Sequence, residues 1–145
     1  MSILLTNTIE ATDNRKTLSQ HGSYSITIHN QFLTVKAYDA WNIETAISCF
    51  KEFKVQAEKL KHKSWSSLID LTHWELGPPE MLNEMKKLNI WLEKNNQKFE
   101  AVIVKNSVQE HLLEVSHITF SNTQSNFFDN HNDALSWLSN SQENI

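Results

Sequence analysis

Three ionisable side chains close together, Asp70, His73 and Glu75, are the residues of this sequence best placed for acid–base chemistry. A histidine held by a carboxylate is a common proton-transfer unit, and it requires the two groups within hydrogen-bond reach. The run Ser67-Leu68-Ile69-Asp70-Leu71 reads as a strand, however, and strand residues three apart point to opposite faces. Only a turn at Leu71-Thr72 would bring Asp70 and His73 together, so the expectation is a structural Asp70 that accepts from nearby loop donors. Gly77-Pro78-Pro79 comes next, holding both prolines and one of the two glycines of the chain. It makes a loop between a strand's carboxyl end and a helix's amino end, where open α/β sheets usually place their ligands. The candidate binding residues are therefore Thr72, His73, Trp74, Glu75 and Glu80 in the loop, with Met81, Met85 and Trp91 on the helix that follows. They form no recognised catalytic set, and the expectation is a binding protein rather than an enzyme.

The remaining chemistry is thin. Two glycines leave no phosphate-cradling loop, neither a P-loop nor a dinucleotide fingerprint, and no cofactor is expected. The amino end of the second helix has free donors for an anion, but Glu75 and Glu80 already supply negative charge there. His111 and His117 are too far apart in sequence for a helical i, i+4 metal pair, and the other histidines are scattered, so no metal is expected and the histidines read as surface residues. Cys49, beside Phe50, reads as a buried inert thiol with no base next to it. Trp41 and Trp74 fall at strand–helix junctions, and a Trp74 ring between a charged loop and a proline-fixed helix start is expected to be only partly enclosed. Two occupants fit such a place. An apolar small molecule would fill a groove beside Trp74, bordered by Met81, Met85 and Trp91, whereas exposed aromatic residues would mark a protein partner's footprint.

The chain of 145 residues suits one domain and can bury roughly two-thirds of its unfolded surface without a disulfide or metal. Thirteen basic against 17 acidic residues give a net charge of -4, which argues against nucleic acid because such proteins carry a basic face or stripe. The densest basic stretch, Lys51 to Lys63, also holds Glu52 and Glu58 and reads as a solvated helix face. A single cysteine cannot make an internal disulfide and fits a reducing compartment. Met1 to Leu5 lacks a signal peptide's basic start and apolar core, and no stretch approaches membrane-spanning length. A soluble cytoplasmic protein without a membrane span is expected.

The elements that position these residues follow from periodicity. Residues 1–21 read as a polar N-terminal extension and 22–145 as the domain. From Ser23, Tyr24, Ile26 and Ile28 alternate with polar residues, and after Asn30-Gln31 a second alternating run extends from Phe32 to Tyr38, which predicts a hairpin. Ile43, Ala46, Ile47, Phe50, Phe53, Ala57 and Leu60 then recur at helical spacing, predicting a helix from Asn42 to Lys61. A strand over Trp65 to Leu71 leads to a helix expected to begin at Pro79, with Met81, Leu82, Met85, Leu88 and Leu92 on its buried side. Ala101-Val102-Ile103-Val104, within Phe99 to Lys105, is apolar in the manner of a strand covered on both faces. Ser107 to Glu110 reads as a capping box opening a short helix, and Phe127-Phe128 as a short strand before a last helix over Asn132 to Ser139. The order β-β-α-β-α-β-α-β-α predicts an α/β fold with a single mixed, mostly parallel sheet of about five strands and about four helices.

Several stretches together carry a family likeness. Gly22-Ser23-Tyr24-Ser25-Ile26-Thr27-Ile28, Trp41-Asn42, Leu68-Ile69-Asp70-Leu71-Thr72-His73-Trp74, Phe127-Phe128-Asp129 and Ala134-Leu135-Ser136-Trp137-Leu138, in this topology, resemble the SpoIIAA-like proteins. These share the STAS fold of anti-sigma-factor antagonists and of the cytoplasmic part of sulphate transporters. The resemblance covers about residues 22 to 139 and implies helices packed mainly on one side of the sheet. It also implies a non-enzymatic protein, and the leading expectation is a domain that binds a protein partner or itself through the loop from Thr72 to Glu80 and the second helix. The sequence departs from the family at one point. Where STAS antagonists place a phosphorylatable serine or threonine at the helix start, this chain has Pro78-Pro79-Glu80, and Thr72 lies several residues too early. The phospho-switch role is not carried over.

Overall fold

The computed structural model describes residues 21–144, so of the extension expected over 1–21 only His21 lies within the described part. The elements are β1 (Ser23–His29), β2 (Phe32–Ala40), α1 (Ile43–Ala57), β3 (Trp65–Leu76), α2 (Met81–Lys94), β4 (Gln97–Ile103), α3 (Ser107–Ser116), a 3-10 turn (His117–Thr119), β5 (Gln124–Phe128) and α4 (His131–Glu143). They build one five-stranded sheet in the order β1-β2-β3-β4-β5, with β1 antiparallel to β2 and the other pairs parallel. This is the mixed, mostly parallel α/β sheet with four helices that the alternating periods predict.

The hairpin turns at Asn30, whose φ of 56° is a left-handed conformation that asparagine tolerates well. Its register sets Ile26 opposite Val35 and sends Leu33, Val35 and Ala37 into the core. Next to it, β4 lies between β3 and β5, as a strand apolar on both faces must. Phe99, Ala101 and Ile103 pack with Ala134 and Leu138 of α4 on one face of the sheet. Val102 joins the larger core on the other face, with Phe53 of α1, Leu88 and Leu92 of α2 and Leu113 of α3. Three helices therefore cover one face and one covers the other.

Several boundaries differ from the periodicity reading. α1 ends at Ala57 instead of running to Lys61, and Leu60 is buried from the turns that follow. Pro78 and Pro79 do not enter α2, and their carbonyls accept from Met81 and Leu82 as the helix begins. The capping residue of α3 is Asn106, not Ser107: Asn106 Oδ1 accepts from the Gln109 amide at 2.9 Å, and Gln109 Oε1 reaches back to Lys105 N at 2.9 Å. This is a capping-box pair moved by one residue, except that the back-bond takes the amide of Lys105, before the cap, and not that of Asn106 itself. Asn42 caps α1 as expected, accepting from Thr45 N at 3.0 Å.

The consequential difference is in β3, which runs on past Leu71 to Leu76. It continues to pair with β2, Tyr38 opposite His73 and Asp39 opposite Trp74, after a register shift between Lys36 and Tyr38. The extra residue inserted there is a β-bulge, and it resets which side chains face inward. Leu71 and Trp74 are both buried, although three residues apart, while Thr72, His73 and Glu75 face out.

Candidate functional site

β3 outruns β4, whose pairing stops at Ile103 opposite Asp70, and so the carbonyls of Leu71 and Trp74 have no strand neighbour on that side. The fully buried Gln109 side chain takes their place, its Nε2 donating to Leu71 O at 3.2 Å and to Trp74 O at 2.8 Å. A backbone that would otherwise be left unpaired is thereby satisfied, and the β3 extension is held against α3.

The expected candidates divide into two groups along this segment. Thr72, His73, Glu75 and Glu80 are exposed and form a polar rim with Leu76 and Pro79. His73 stacks on Tyr38, with ring centres 6.0 Å apart and planes 11° from parallel. Asp70 Oδ1 accepts from the Thr72 amide at 2.9 Å and from the Thr72 hydroxyl at 2.6 Å. Asp70 is thus the structural acceptor for local donors that the strand geometry predicts.

Trp74 corrects the expectation of a partly enclosed ring. It is 2% exposed, belongs to the main core and meets Trp41 edge-on at 5.9 Å. The bulge in β3 turns it inward. With Met81 and Met85 it lines an apolar pocket of about 70 Å³ between the sheet and the α1–α2 layer. Trp91 is not part of that lining: it is half-buried on α2, with Lys54 Nζ 5.8 Å from its ring centre. Gly77 makes room for the pocket wall, because a Cβ there would lie 2.6 Å from Met81 Sδ.

The sequence reading missed the polar end of this pocket. Glu100 of β4 and His117 of the 3-10 turn both line it, and their side chains are only 5% and 11% exposed. Among the described residues, the histidine that meets a carboxylate is therefore His117 and not His73. This corrects the view of the histidines as surface residues. His117 Nε2 lies 2.6 Å from Glu100 Oε1, yet the ring N–H is not aimed along that line, so the contact is a close approach and not a directed hydrogen bond. Ser125 Oγ reaches the same oxygen at a long 3.4 Å. The imidazole is stacked against Phe120 and Phe127, at centroid distances of 4.9 and 5.8 Å. Glu100 carries a signal in the sequence, since it shares a face with Val102 on a strand covered on both faces.

Indole N–H groups separate the three buried tryptophans. Trp41 Nε1 donates to Ser23 O at 3.0 Å and Trp65 Nε1 to Asn95 O at 2.7 Å, whereas Trp74 Nε1 is buried with no acceptor. Cys49 also borders the pocket as a buried thiol, and burial, with Glu52 adding to it, pushes its pKa far above the ordinary cysteine range. Among the described residues no group of three or more His, Cys, Asp or Glu side chains is placed to hold a metal, and no helix is long and apolar enough to cross a membrane.

No protein-family model and no curated protein matches the chain. Solved structures do. An uncharacterised DUF3478-family protein with a SpoIIAA-like fold from Shewanella loihica PV-4 is 23% identical, with 83% of this chain and 97% of that one covered at a TM-score of 0.65. An anti-sigma factor antagonist from Mycobacterium paratuberculosis is 15% identical, with 82% and 95% covered at a TM-score of 0.57. The order of elements, the mixed sheet and these neighbours together identify the fold as that of a SpoIIAA-like, STAS-like domain.

Proposed function

We propose that this chain is a non-enzymatic, cytoplasmic binding domain of regulatory type that meets a protein partner, or a second copy of itself, through the rim from Thr72 to Glu80 and the adjoining surface of α2. The observation that carries this reading is the outward placement of Thr72, His73, Glu75 and Glu80 at the end of the sheet, with Asp70 occupied by Thr72 and no acid–base pair on the rim. The anti-sigma factor antagonist of the same fold supports it by analogy of fold. The test is a charge reversal of the rim, Glu75→Lys with Glu80→Lys. It should weaken self-association in sedimentation, or association with whatever partner co-purifies with the wild type, while unfolding is unchanged. Unaltered association would remove the rim from the interface.

A second reading has its own observation. Trp74, Met81 and Met85 face inward around an apolar pocket instead of forming an exposed patch, which favours a carrier or sensor of an apolar small molecule. The rim and the pocket share the β3–α2 connection, so a ligand below and a partner above would act on one segment. Native mass spectrometry of protein purified from its own cells tests this reading by a bound mass that Trp74→Ala or Met85→Trp eliminates.

A further inference from the structure

The apolar pocket has a polar end at Glu100 and His117 where the groups are poorly satisfied, and a further unmet donor on Trp74 toward the end of β3. Trp74 Nε1 is buried without an acceptor, His117 Nε2 is buried without a directed hydrogen bond, and Glu100 has only the misaligned imidazole and a long contact from Ser125. Buried polar groups are nearly always hydrogen-bonded, and each exception requires a cause. Asn89 and Ser116, the other polar residues of the lining, are already committed: Asn89 Nδ2 donates to Ser116 O at 3.0 Å and Ser116 Oγ to Leu113 O at 2.7 Å. The unmet capacity of the polar end is therefore that of Glu100 and His117, since Glu100 lies opposite Ser67 of β3, well before Trp74.

We infer that the pocket takes a neutral apolar molecule bearing a hydroxyl group, an alcohol or a phenol, with its hydroxyl at the Glu100–His117 end. This rests on the small-molecule reading and specifies the ligand class. The walls of Phe, Leu, Met and Trp select an apolar body. A hydroxyl is both donor and acceptor, so it can donate to the Glu100 carboxylate while accepting from the His117 ring N–H. A ligand carboxylate would instead meet the like charge of Glu100, and no lysine or arginine lines the pocket to compensate it. A plain hydrocarbon would fill the walls and leave Glu100 and His117 unmet. At about 70 Å³ the pocket is smaller than the roughly 150 Å³ cavity that accepts benzene. Met81 and Met85, unbranched and flexible, form the part of the wall that can yield.

The test uses three one-ring probes of similar size, phenol, toluene and benzoate, titrated into the full chain at millimolar concentrations. The readout is the Hε1 ring resonance of His117, assigned by its loss in His117→Gln. Phenol should shift that resonance saturably and bind about five- to tenfold more tightly than toluene, as one added hydrogen bond in a buried site implies. Benzoate should not bind. In Glu100→Gln, which removes the charge and keeps the shape, benzoate should bind measurably; if that variant does not fold, the wild-type series decides. Toluene binding as tightly as phenol would overturn the hydroxyl inference and leave the small-molecule reading standing. Benzoate binding the wild type most tightly would overturn the inference in the opposite sense. Failure of all three probes to move the His117 resonance would overturn the small-molecule reading together with the inference.

Discussion

Trp65 and Trp74 form a matched pair for measuring what an unmet indole N–H costs. Both are in the main core, 0% and 2% exposed, but Trp65 Nε1 donates to Asn95 O while Trp74 Nε1 meets no acceptor. Replacing either by phenylalanine removes the same part of the ring, and the transfer and cavity costs come to about 1–2 kcal/mol at each site. At Trp65 the change also discards a hydrogen bond worth about 1 kcal/mol and leaves a carbonyl without its donor, adding roughly 1–2 kcal/mol in all. At Trp74 it removes a donor whose unpaired burial costs roughly 1–3 kcal/mol, which offsets the cavity. Trp65→Phe should therefore destabilise by roughly 2–4 kcal/mol and Trp74→Phe by no more than about 1 kcal/mol. Trp74→Ala empties the site and should cost about 3–5 kcal/mol, the loss of a core residue. Urea unfolding followed by far-ultraviolet circular dichroism reads all three, provided the slope of free energy against urea is unchanged. Equal losses for the two phenylalanine variants would refute the reasoning. The Trp74 N–H would then be bonded in solution, and the pocket would lose its free donor.

Four further outcomes follow from named contacts. Burial alone would raise the Glu93 carboxyl, but backbone donors of Asn122, Ser121 and Thr123 and the Ser121 hydroxyl outweigh it and hold the pKa below the ordinary 4.5. The stability difference between wild type and Glu93→Gln should thus be full above about pH 4.5 and close as pH falls through the depressed folded value; a gap independent of pH down to the acid transition would count against it. Gly22 has a φ of 77°, and a Cβ there would lie 2.6 Å from Trp41 Cδ1, so Gly22→Ala should cost roughly 1–3 kcal/mol in the same urea assay, and a neutral result would contradict the strain. Cys49 should resist thiol reagents in the native state and react on unfolding, and labelling at the rate of a free cysteine would show the helix layer to be open. A kinase of the anti-sigma type should leave the start of α2 unmodified, since Pro78, Pro79 and Glu80 offer no hydroxyl, whereas stoichiometric phosphate on Thr72 would restore a switch.

The sheet was legible because its strands announce themselves locally. Tyr24, Ile26 and Ile28 alternate on an edge strand with one covered face, and Ala101 to Val104 are apolar throughout on a strand with two. The end of β3 was not legible, because Thr72-His73-Trp74-Glu75 breaks the alternation at a bulge, and a bulge is fixed by how β2 and β3 meet rather than by either strand alone. That misreading put Trp74 in a loop and made it a surface contact. The polar end of the pocket was hidden for a related reason. His117 follows α3 in a stretch without a period, and nothing near it in sequence shows that the 3-10 turn sets its ring against Glu100. Glu100 was the readable half: on a central strand, a residue two before Val102 shares its face, and that face is covered by α1 and α2. A carboxylate committed to such a place by strand geometry is costly unless something answers it, and among the described residues the answer is a misaligned imidazole and a long contact from Ser125 Oγ. A charge so incompletely answered, at the other end of the pocket from the unpaired Trp74 indole, makes Glu100 the residue on which the small-molecule reading is tested, as Glu75 and Glu80 are for the protein-partner reading.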